Sequence, residues 1–168
     1  MDTVEHARFG RLETGALRDP DVVWEDVVRL GDGEVEVRLW AGPRSAPEAG
    51  ELDELAARLA DLPALDATAR AALRAYLEED RCFVDFHVEE LADSRAAARL
   101  LRDADGAEVG AAAFVAAMRP TGIGLWTGGA SDGAPVVVDY AFEPDLGDQL
   151  LAVKLTRDGA VLSVDWES

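Results

Sequence analysis

The sequence predicts an α+β fold, in which an antiparallel sheet has N-terminal and C-terminal strands and the helices pack on one face. Three observations indicate this fold. Residues 4–41 show the composition and period-two alternation of strands, residues 48–118 show helical periodicity, and residues 122–166 return to short apolar strands separated by turns. Short loops between neighbouring strands favour antiparallel pairing, and the strand–helix–strand order favours helices layered on a sheet.

The N-terminal strands flank a strong turn signal. Residues 22–28 (VVWEDVV) are rich in β-forming side chains, and Gly31, Asp32 and Gly33 follow as a turn. In residues 34–40, apolar side chains at every second position alternate with mostly charged ones. This pattern predicts a strand with one apolar and one charged face.

The middle of the chain is predicted to be helical. Leucines at three- and four-residue steps favour a helix over residues 48–62, which Pro63 is expected to end. Asp66 is predicted to cap a second helix over residues 67–79. Residues 81–91 carry both an alternating and a helical apolar pattern, and we favour a helix because helical patterns flank them. Two shorter helices are predicted over residues 96–101 and 107–118.

Four strands are predicted in the last third of the chain, over residues 122–127, 136–142, 149–156 and 161–166. Alternation in the last of them predicts that Trp166 packs in the core. Trp24, Trp40 and Trp126 also lie in predicted strands, where aromatic side chains usually pack in the core or against a neighbouring strand. We expect Trp126 to be the most exposed of the four, because a glycine-rich loop follows it.

Length and composition indicate a single domain over residues 1–168. The chain is 49% apolar, which is enough for a core and too apolar for a disordered protein. No apolar run approaches the ~20 residues of a membrane span, and the acidic residues 1–5 lack the features of a signal peptide, so we expect a cytoplasmic protein. Cys82, the one cysteine, excludes an intrachain disulfide and is expected to be buried.

The formal net charge is −18. Phosphate backbones and anionic lipid surfaces repel such a chain, so we expect neither a nucleic acid nor a membrane as its partner. Two interpretations of the charge stay open. One lysine, one isoleucine, one glutamine and no asparagine are typical of a high-GC genome, so the acidity can reflect genomic bias and solubility. Alternatively, the acidic surface attracts a basic protein partner.

We assign no catalytic residue and no cofactor from the sequence. Residues 129–133 match G-x-S-x-G, the nucleophile-elbow pattern of hydrolases. That pattern requires a helix after the serine and a later histidine, whereas a β-rich run follows Ser131, and His6 and His87 both precede it. The glycine spacings of dinucleotide-binding and P-loop sequences are also missing.

The sequence contains one histidine–carboxylate cluster, formed by His87, Glu89, Glu90 and Asp93. Transition-metal sites usually combine several histidines or cysteines. The segment that contains Asp103, Asp105 and Glu108 lacks the full twelve-residue pattern of a calcium loop. We therefore interpret His87 as a half-buried histidine beside solvated carboxylates, and we predict no metal site.

A series of residues in the C-terminal third is informative. Asp139 and Tyr140 lie in a predicted strand, residues 148–154 read DQLLAVK, a hairpin turn follows, and residues 166–168 read WES. With the leucine-rich helix and the segment from Tyr76 to Glu90, this series resembles a bacterial family, the domain of unknown function numbered two thousand and four. Families of this kind are often found among immunity proteins of toxin systems, so the resemblance implies binding rather than catalysis. It assigns no functional residue.

The sequence thus predicts a non-catalytic binding protein with a protein partner, in its most specific form an immunity-type inhibitor of a basic bacterial toxin. Two alternatives stay open. One is a regulatory or structural domain with a different ligand, and the other is an undescribed enzyme that uses His87 and neighbouring carboxylates. The sequence assigns neither the binding face nor the oligomeric state.

Overall fold

The computed structural model describes residues 3–14, 17–43, 46–128 and 133–168, and these form eight strands and five helices. The strands are β1 (Thr3–His6), β2 (Gly10–Glu13), β3 (Asp21–Leu30), β4 (Gly33–Ala41), β5 (Arg119–Trp126), β6 (Val136–Ala141), β7 (Leu150–Leu155) and β8 (Val161–Glu167). The helices are α1 (Ala49–Ala60), α2 (Leu62–Glu79), α3 (Cys82–Glu90), α4 (Arg95–Leu101) and α5 (Ala111–Ala117). The predicted α+β fold class is confirmed, as is the helical assignment of residues 81–91.

Six of the strands form one sheet in the order β3-β4-β5-β6-β7-β8, and β1 pairs with β2 in a separate hairpin. Neighbours in the large sheet are antiparallel except for β4 and β5, which are parallel. A parallel pair needs a long connection between its strands. The five helices, which all lie between β4 and β5 in the chain, supply that connection.

The main core lies between the helices and one face of the large sheet. Val37 and Leu39 on β4 are fully buried, and Leu125, Val138 and Val153 continue the same apolar face across β5, β6 and β7. The helices contribute Leu52, Leu55, Leu73, Leu77, Phe83 and Phe114 to this core. Because side chains alternate along a strand, the residues between the buried ones point to the opposite face of the sheet.

A largely buried polar network joins α2 to this core. The Tyr140 hydroxyl on β6 donates a hydrogen bond to Asp66 Oδ1 at 2.6 Å, and Arg70 Nε donates to the two oxygens of the same carboxylate at 3.0 and 2.9 Å. Arg70 also donates to the backbone oxygens of Val115 and Met118 at the end of α5. The network thus connects α2, α5 and the middle of the sheet.

The start of α2 differs from the prediction. The helix begins at Leu62, the Asp61 side chain accepts a hydrogen bond from the Ala64 N–H, and Pro63 lies in the first turn. Proline is tolerated there because its missing N–H would have no partner within the helix. Pro63 therefore opens a helix rather than ending one, and Asp66 binds Tyr140 rather than capping a helix.

Three predictions of burial were wrong, one of them that Trp126 is the most exposed tryptophan, because Trp126 is half-buried and Trp166 is exposed. Cys82 is exposed, because it begins α3 on the solvent side while Phe83 and His87 occupy the core side. Trp166 is 38% exposed, because β8 is an edge strand and leaves its outer side open to solvent. The Trp166 ring contacts aromatic side chains of α3, and its indole N–H donates to Gln149 Oε1 at 2.6 Å.

None of the helices in the described part of the chain combines the length and apolar character needed to cross a bilayer.

Candidate functional site

The face of the large sheet opposite the helices carries a groove with a volume of about 420 Å³. All of its lining residues belong to strands β4 to β8. The lining includes Glu36, Arg38, Trp40, Gly122, Gly124, Trp126, Asp139, Lys154 and Glu167. We call this surface the open-face groove.

Two glycines of β5 form the floor of the open-face groove. The strand register places Gly122 between Glu36 on β4 and Asp139 on β6, and it places Gly124 beside Arg38. Neither glycine has a positive φ, so glycine contributes here by having no side chain rather than by its backbone freedom. Strands this central usually carry β-branched or aromatic side chains. The missing side chains leave a gap between the flanking strands.

A pair of tryptophans closes one end of the groove. Trp40 and Trp126 are neighbours in the parallel β4–β5 pair, and their rings stack with centroids 4.9 Å apart and an angle of 7° between planes. The Trp126 indole leans over the floor, since its Nε1 would lie 3.2 Å from a Cβ placed on Gly124. Within the described residues, this N–H group has no hydrogen-bond acceptor. The groove therefore offers a hydrogen-bond donor at its tryptophan end.

Asp139 lies at the other end of the floor. Its Oδ2 would lie 3.5 Å from a Cβ placed on Gly122. Burial, and to a smaller extent the nearby negative charge of Glu167, raise the pKa of Asp139 to about 6, although the positive charge of Lys154 opposes the change. No described residue donates a hydrogen bond to the Asp139 carboxylate. The side chain is thus a partly desolvated acceptor.

The two cationic side chains that line the groove, Arg38 and Lys154, form ion pairs with carboxylates other than Asp139. Arg38 Nη2 lies 2.7 Å from Glu36 Oε2. Lys154 Nζ lies 2.8 Å from Asp165 and 3.1 Å from Glu167, and only 14% of its side chain is exposed. With Asp139 added, carboxylates outnumber cations on this surface. The open-face groove is therefore suited to a ligand with a positive charge and a hydrogen-bond acceptor.

A wider cleft of about 770 Å³ lies near the β3–β4 turn and the end of α5. Arg70 lines it, but its guanidinium already binds Asp66 and two backbone oxygens. Glu143 also lines the cleft, and Arg119 approaches it at 4.0 Å. Arg70 and Arg119 are thus already engaged by other groups, which makes this cleft a weaker candidate than the open-face groove.

The structure places His87 in the core, away from the groove. It is 4% exposed and packs against Phe114 and Phe142, and burial lowers its pKa. Its Nδ1 lies 2.7 Å from the Phe83 carbonyl oxygen, so Nδ1 carries the proton in the neutral ring. His87 also lines a small cavity of about 180 Å³, together with Glu90. The neighbouring Glu89 and Asp93 are exposed.

Two other candidates from the sequence, the acidic segment around Asp103 and the Cys82 thiol, are explained by contacts with nearby residues. The Asp103 carboxylate accepts hydrogen bonds from the backbone N–H groups of Asp105 and Ala107, which closes a turn before α5. Asp80 raises the pKa of the Cys82 thiol, which disfavours the reactive thiolate. In the described ranges, no group of three or more His, Cys, Asp or Glu side chains is placed to hold a metal ion. Residues 129–132 of the G-x-S-x-G match lie outside the described residues.

Comparisons with protein-family models, curated proteins and solved structures find no match to this chain. The resemblance of the C-terminal third to a bacterial family therefore stays a prediction. The groove residues were missed as a site by the sequence reasoning. A signal was present in β5, where Gly122 and Gly124 stand at alternate positions before Trp126 and therefore on one face of the strand.

Proposed function

We propose that this chain is a non-catalytic binding protein whose partner is a basic protein, and that the partner docks on the open face of the sheet. The observation that carries the proposal is the open-face groove itself. It combines an unfilled glycine floor, a tryptophan pair and an excess of carboxylates on a face that the helices leave uncovered. An immunity-type inhibitor that covers a basic toxin is the specific form of this function that the sequence resemblance favours.

The charge of the chain supports a basic partner. At −18, the molecule attracts cations over distances comparable with the Debye length, about 8 Å at physiological salt. Such attraction speeds encounter more than it slows dissociation, because dissociation depends on the buried centre of the interface. We therefore expect the association rate to fall steeply with added salt and the dissociation rate to change less.

The test uses the product of the reading frame next to this gene as the partner. The two proteins are co-expressed, and binding kinetics are measured at two ionic strengths for the wild type and two charge-reversal variants. Glu36→Lys places the new charge in the groove, and Glu54→Lys places it on an exposed position of α1. Both variants change the net charge equally, so their difference isolates the docking face.

We expect Glu36→Lys to weaken the complex at least tenfold and Glu54→Lys to slow association only slightly. Equal effects of the two variants would show that binding depends on the net charge of the chain and not on the open-face groove. A complex whose association rate ignores salt would remove the electrostatic part of the proposal. Failure to find any complex with a neighbouring gene product would count against the immunity-type function.

A second candidate function is favoured by Asp139. A carboxyl group whose pKa is raised to about 6 in a groove is typical of general acid–base catalysts. An enzyme would turn over a small substrate at a rate that depends on Asp139, whereas the binding function requires a stoichiometric complex without turnover. Assays of the purified complex for release of a modified product distinguish the two.

A further inference from the structure

The open-face groove has the geometry of a receptor for one side chain. We infer that the groove binds a single arginine side chain of the protein partner, with its guanidinium between Glu36 and Asp139 and the partner's backbone carbonyl at the Trp126 indole N–H. This inference rests on the proposed function, because it names the group through which the basic partner would be recognised.

Gly122 leaves a gap in the middle of the groove. Glu36 and Asp139 occupy the same row of the sheet on either side of this glycine. Their Cα atoms are therefore separated by two strand spacings, about 10 Å. With no side chain on Gly122, Glu36 and Asp139 flank a gap, and Arg38 Nη2 binds Glu36 from the side of the next residue pair. A planar guanidinium has five N–H donors and can bind both carboxylates at once.

The tryptophan end of the groove lies within reach of an arginine side chain whose guanidinium is bound near Gly122. The Trp126 N–H edge lies over Gly124, one residue pair along β5 from Gly122. The distance between these two glycine positions is about 7 Å, which an arginine side chain spans with its extended methylene stem. The stem would lie on the glycine floor beside the indole. Arginine is favoured over lysine because its planar set of N–H donors can bind two carboxylates at once, whereas the lysine ammonium acts as a point charge.

The open shape of the groove favours a protein side chain over a free small molecule. The groove is a depression in one sheet face, and all of its lining residues come from the strands of that sheet. Sites for small molecules generally enclose 70–90% or more of the ligand surface. An occupant of this groove stays accessible from the solvent side, as a side chain that projects from a docked protein does. The excess of carboxylates selects a positively charged occupant.

Recognition by Asp139 also makes binding depend on pH. The charged groups that face Asp139 from the neighbouring strands are Glu36 and Arg38 on β4, Lys154 on β7, and Asp165 and Glu167 on β8. A guanidinium favours the ionised carboxylate, whose pKa in the free protein is raised to about 6. Affinity should therefore be highest above pH 7 and fall about tenfold between pH 8 and pH 5 as Asp139 takes up a proton.

The experiment is a nuclear magnetic resonance titration of the ¹⁵N-labelled full chain with Nα-acetyl-L-arginine N-methylamide. We expect saturable shifts at the Trp126 indole N–H and at the Gly122 and Gly124 amides. The neutral citrulline analogue should bind at least tenfold more weakly. Asp139→Asn should weaken binding at least tenfold and remove its pH dependence, and the matched control Glu54→Gln on α1 should bind within twofold of the wild type.

A second variant addresses the floor. Gly122→Val fills the gap at a position where a Cβ meets only an ordinary contact with Asp139, so the fold should persist, as circular dichroism would verify. We expect it to abolish binding of the arginine probe. Equal binding of the citrulline analogue, shifts confined to another surface, or unchanged binding by Asp139→Asn would each overturn the inference.

Three further outcomes separate this inference from the proposed function. Free L-arginine that binds more than tenfold tighter than the blocked probe would identify a small-molecule site and refute docking of a protein side chain. A partner complex that is weakened by Glu36→Lys but unaffected by Gly122→Val would keep the docking face and refute the arginine receptor. A groove that binds the probe as expected, in a chain that forms no complex with a basic protein, would refute the proposed function alone.

Discussion

Replacing Asp139 by asparagine should make the protein more stable at neutral pH, although it removes a charged group from the binding groove. The folded state raises the pKa of this carboxyl from 3.8 to about 6. A group whose pKa is raised by folding binds its proton more tightly in the folded state. The ionised form therefore opposes folding above pH 6, and this cost shrinks as the pH falls from 6 towards 3.8.

The magnitude follows from the two pKa values. Their difference corresponds to about 3 kcal/mol at 1.36 kcal/mol per pH unit. Solvent reaches part of the Asp139 side chain and screens its charge, so we expect asparagine to raise the free energy of unfolding by about 1–2 kcal/mol at pH 8. For a chain of this length, this increase corresponds to a rise in Tm of about 2–8 °C.

Urea denaturation at pH 8 and pH 5 tests this reasoning. We expect a higher midpoint for Asp139→Asn at pH 8 with an unchanged m value, and a smaller difference at pH 5. Glu54→Gln, on the exposed side of α1, should leave both midpoints unchanged. A variant that is less stable than the wild type at pH 8 would refute the reasoning, because it would mean that the ionised carboxylate stabilises the fold.

Two further predictions concern the core. Tyr140→Phe should lower the free energy of unfolding by about 1–2 kcal/mol, because it removes the 2.6 Å hydrogen bond to Asp66. Urea denaturation measures this change. A variant as stable as the wild type would show that solvent replaces the hydroxyl. Burial lowers the pKa of His87 below 6.5, so wild-type stability should be fully present above pH 6.5 and fall as the pH drops through the folded-state value. His87→Phe should reduce that loss between pH 6.5 and 5.5, and an identical acid profile in denaturation curves of the two proteins would contradict this assignment.

Local sequence patterns predicted much of the secondary structure because turns and the apolar faces of helices depend on residues that are close in the sequence. The turn signal at residues 31–33 precedes β4, and the three- and four-residue leucine steps mark α1, as the structure shows. Pro63 misled the prediction because proline both ends helices and occupies their first turn, and only the capping contact of Asp61 distinguishes the two cases. Trp166 misled it because alternation shows which face a side chain takes, but not whether its strand lies at an edge.

The candidate site depends on pairings that local patterns do not contain. Trp40 and Trp126 meet only because β4 and β5 are parallel neighbours across the whole helical segment. Glu36 and Asp139 face each other only because Gly122 lies between them in the sheet order. Period-two alternation placed Glu36 and Arg38 on the charged face of one strand, but the strand order that brings β4, β5 and β6 together is a property of the assembled sheet.

The open face departs from local stability rules at several neighbouring positions. A sheet surface selected for stability and solubility alone would carry β-branched side chains in β5, and it would pair or expose its carboxylates. Here β5 carries no side chain at Gly122 and Gly124, Asp139 is partly desolvated without a hydrogen-bond donor among the described residues, and the Trp126 indole lies over Gly124. Such departures concentrate where a surface serves binding. Genomic bias can explain the net charge of −18, but a general excess of acidic residues does not explain why glycines, a tryptophan pair and a desolvated carboxylate converge on one groove.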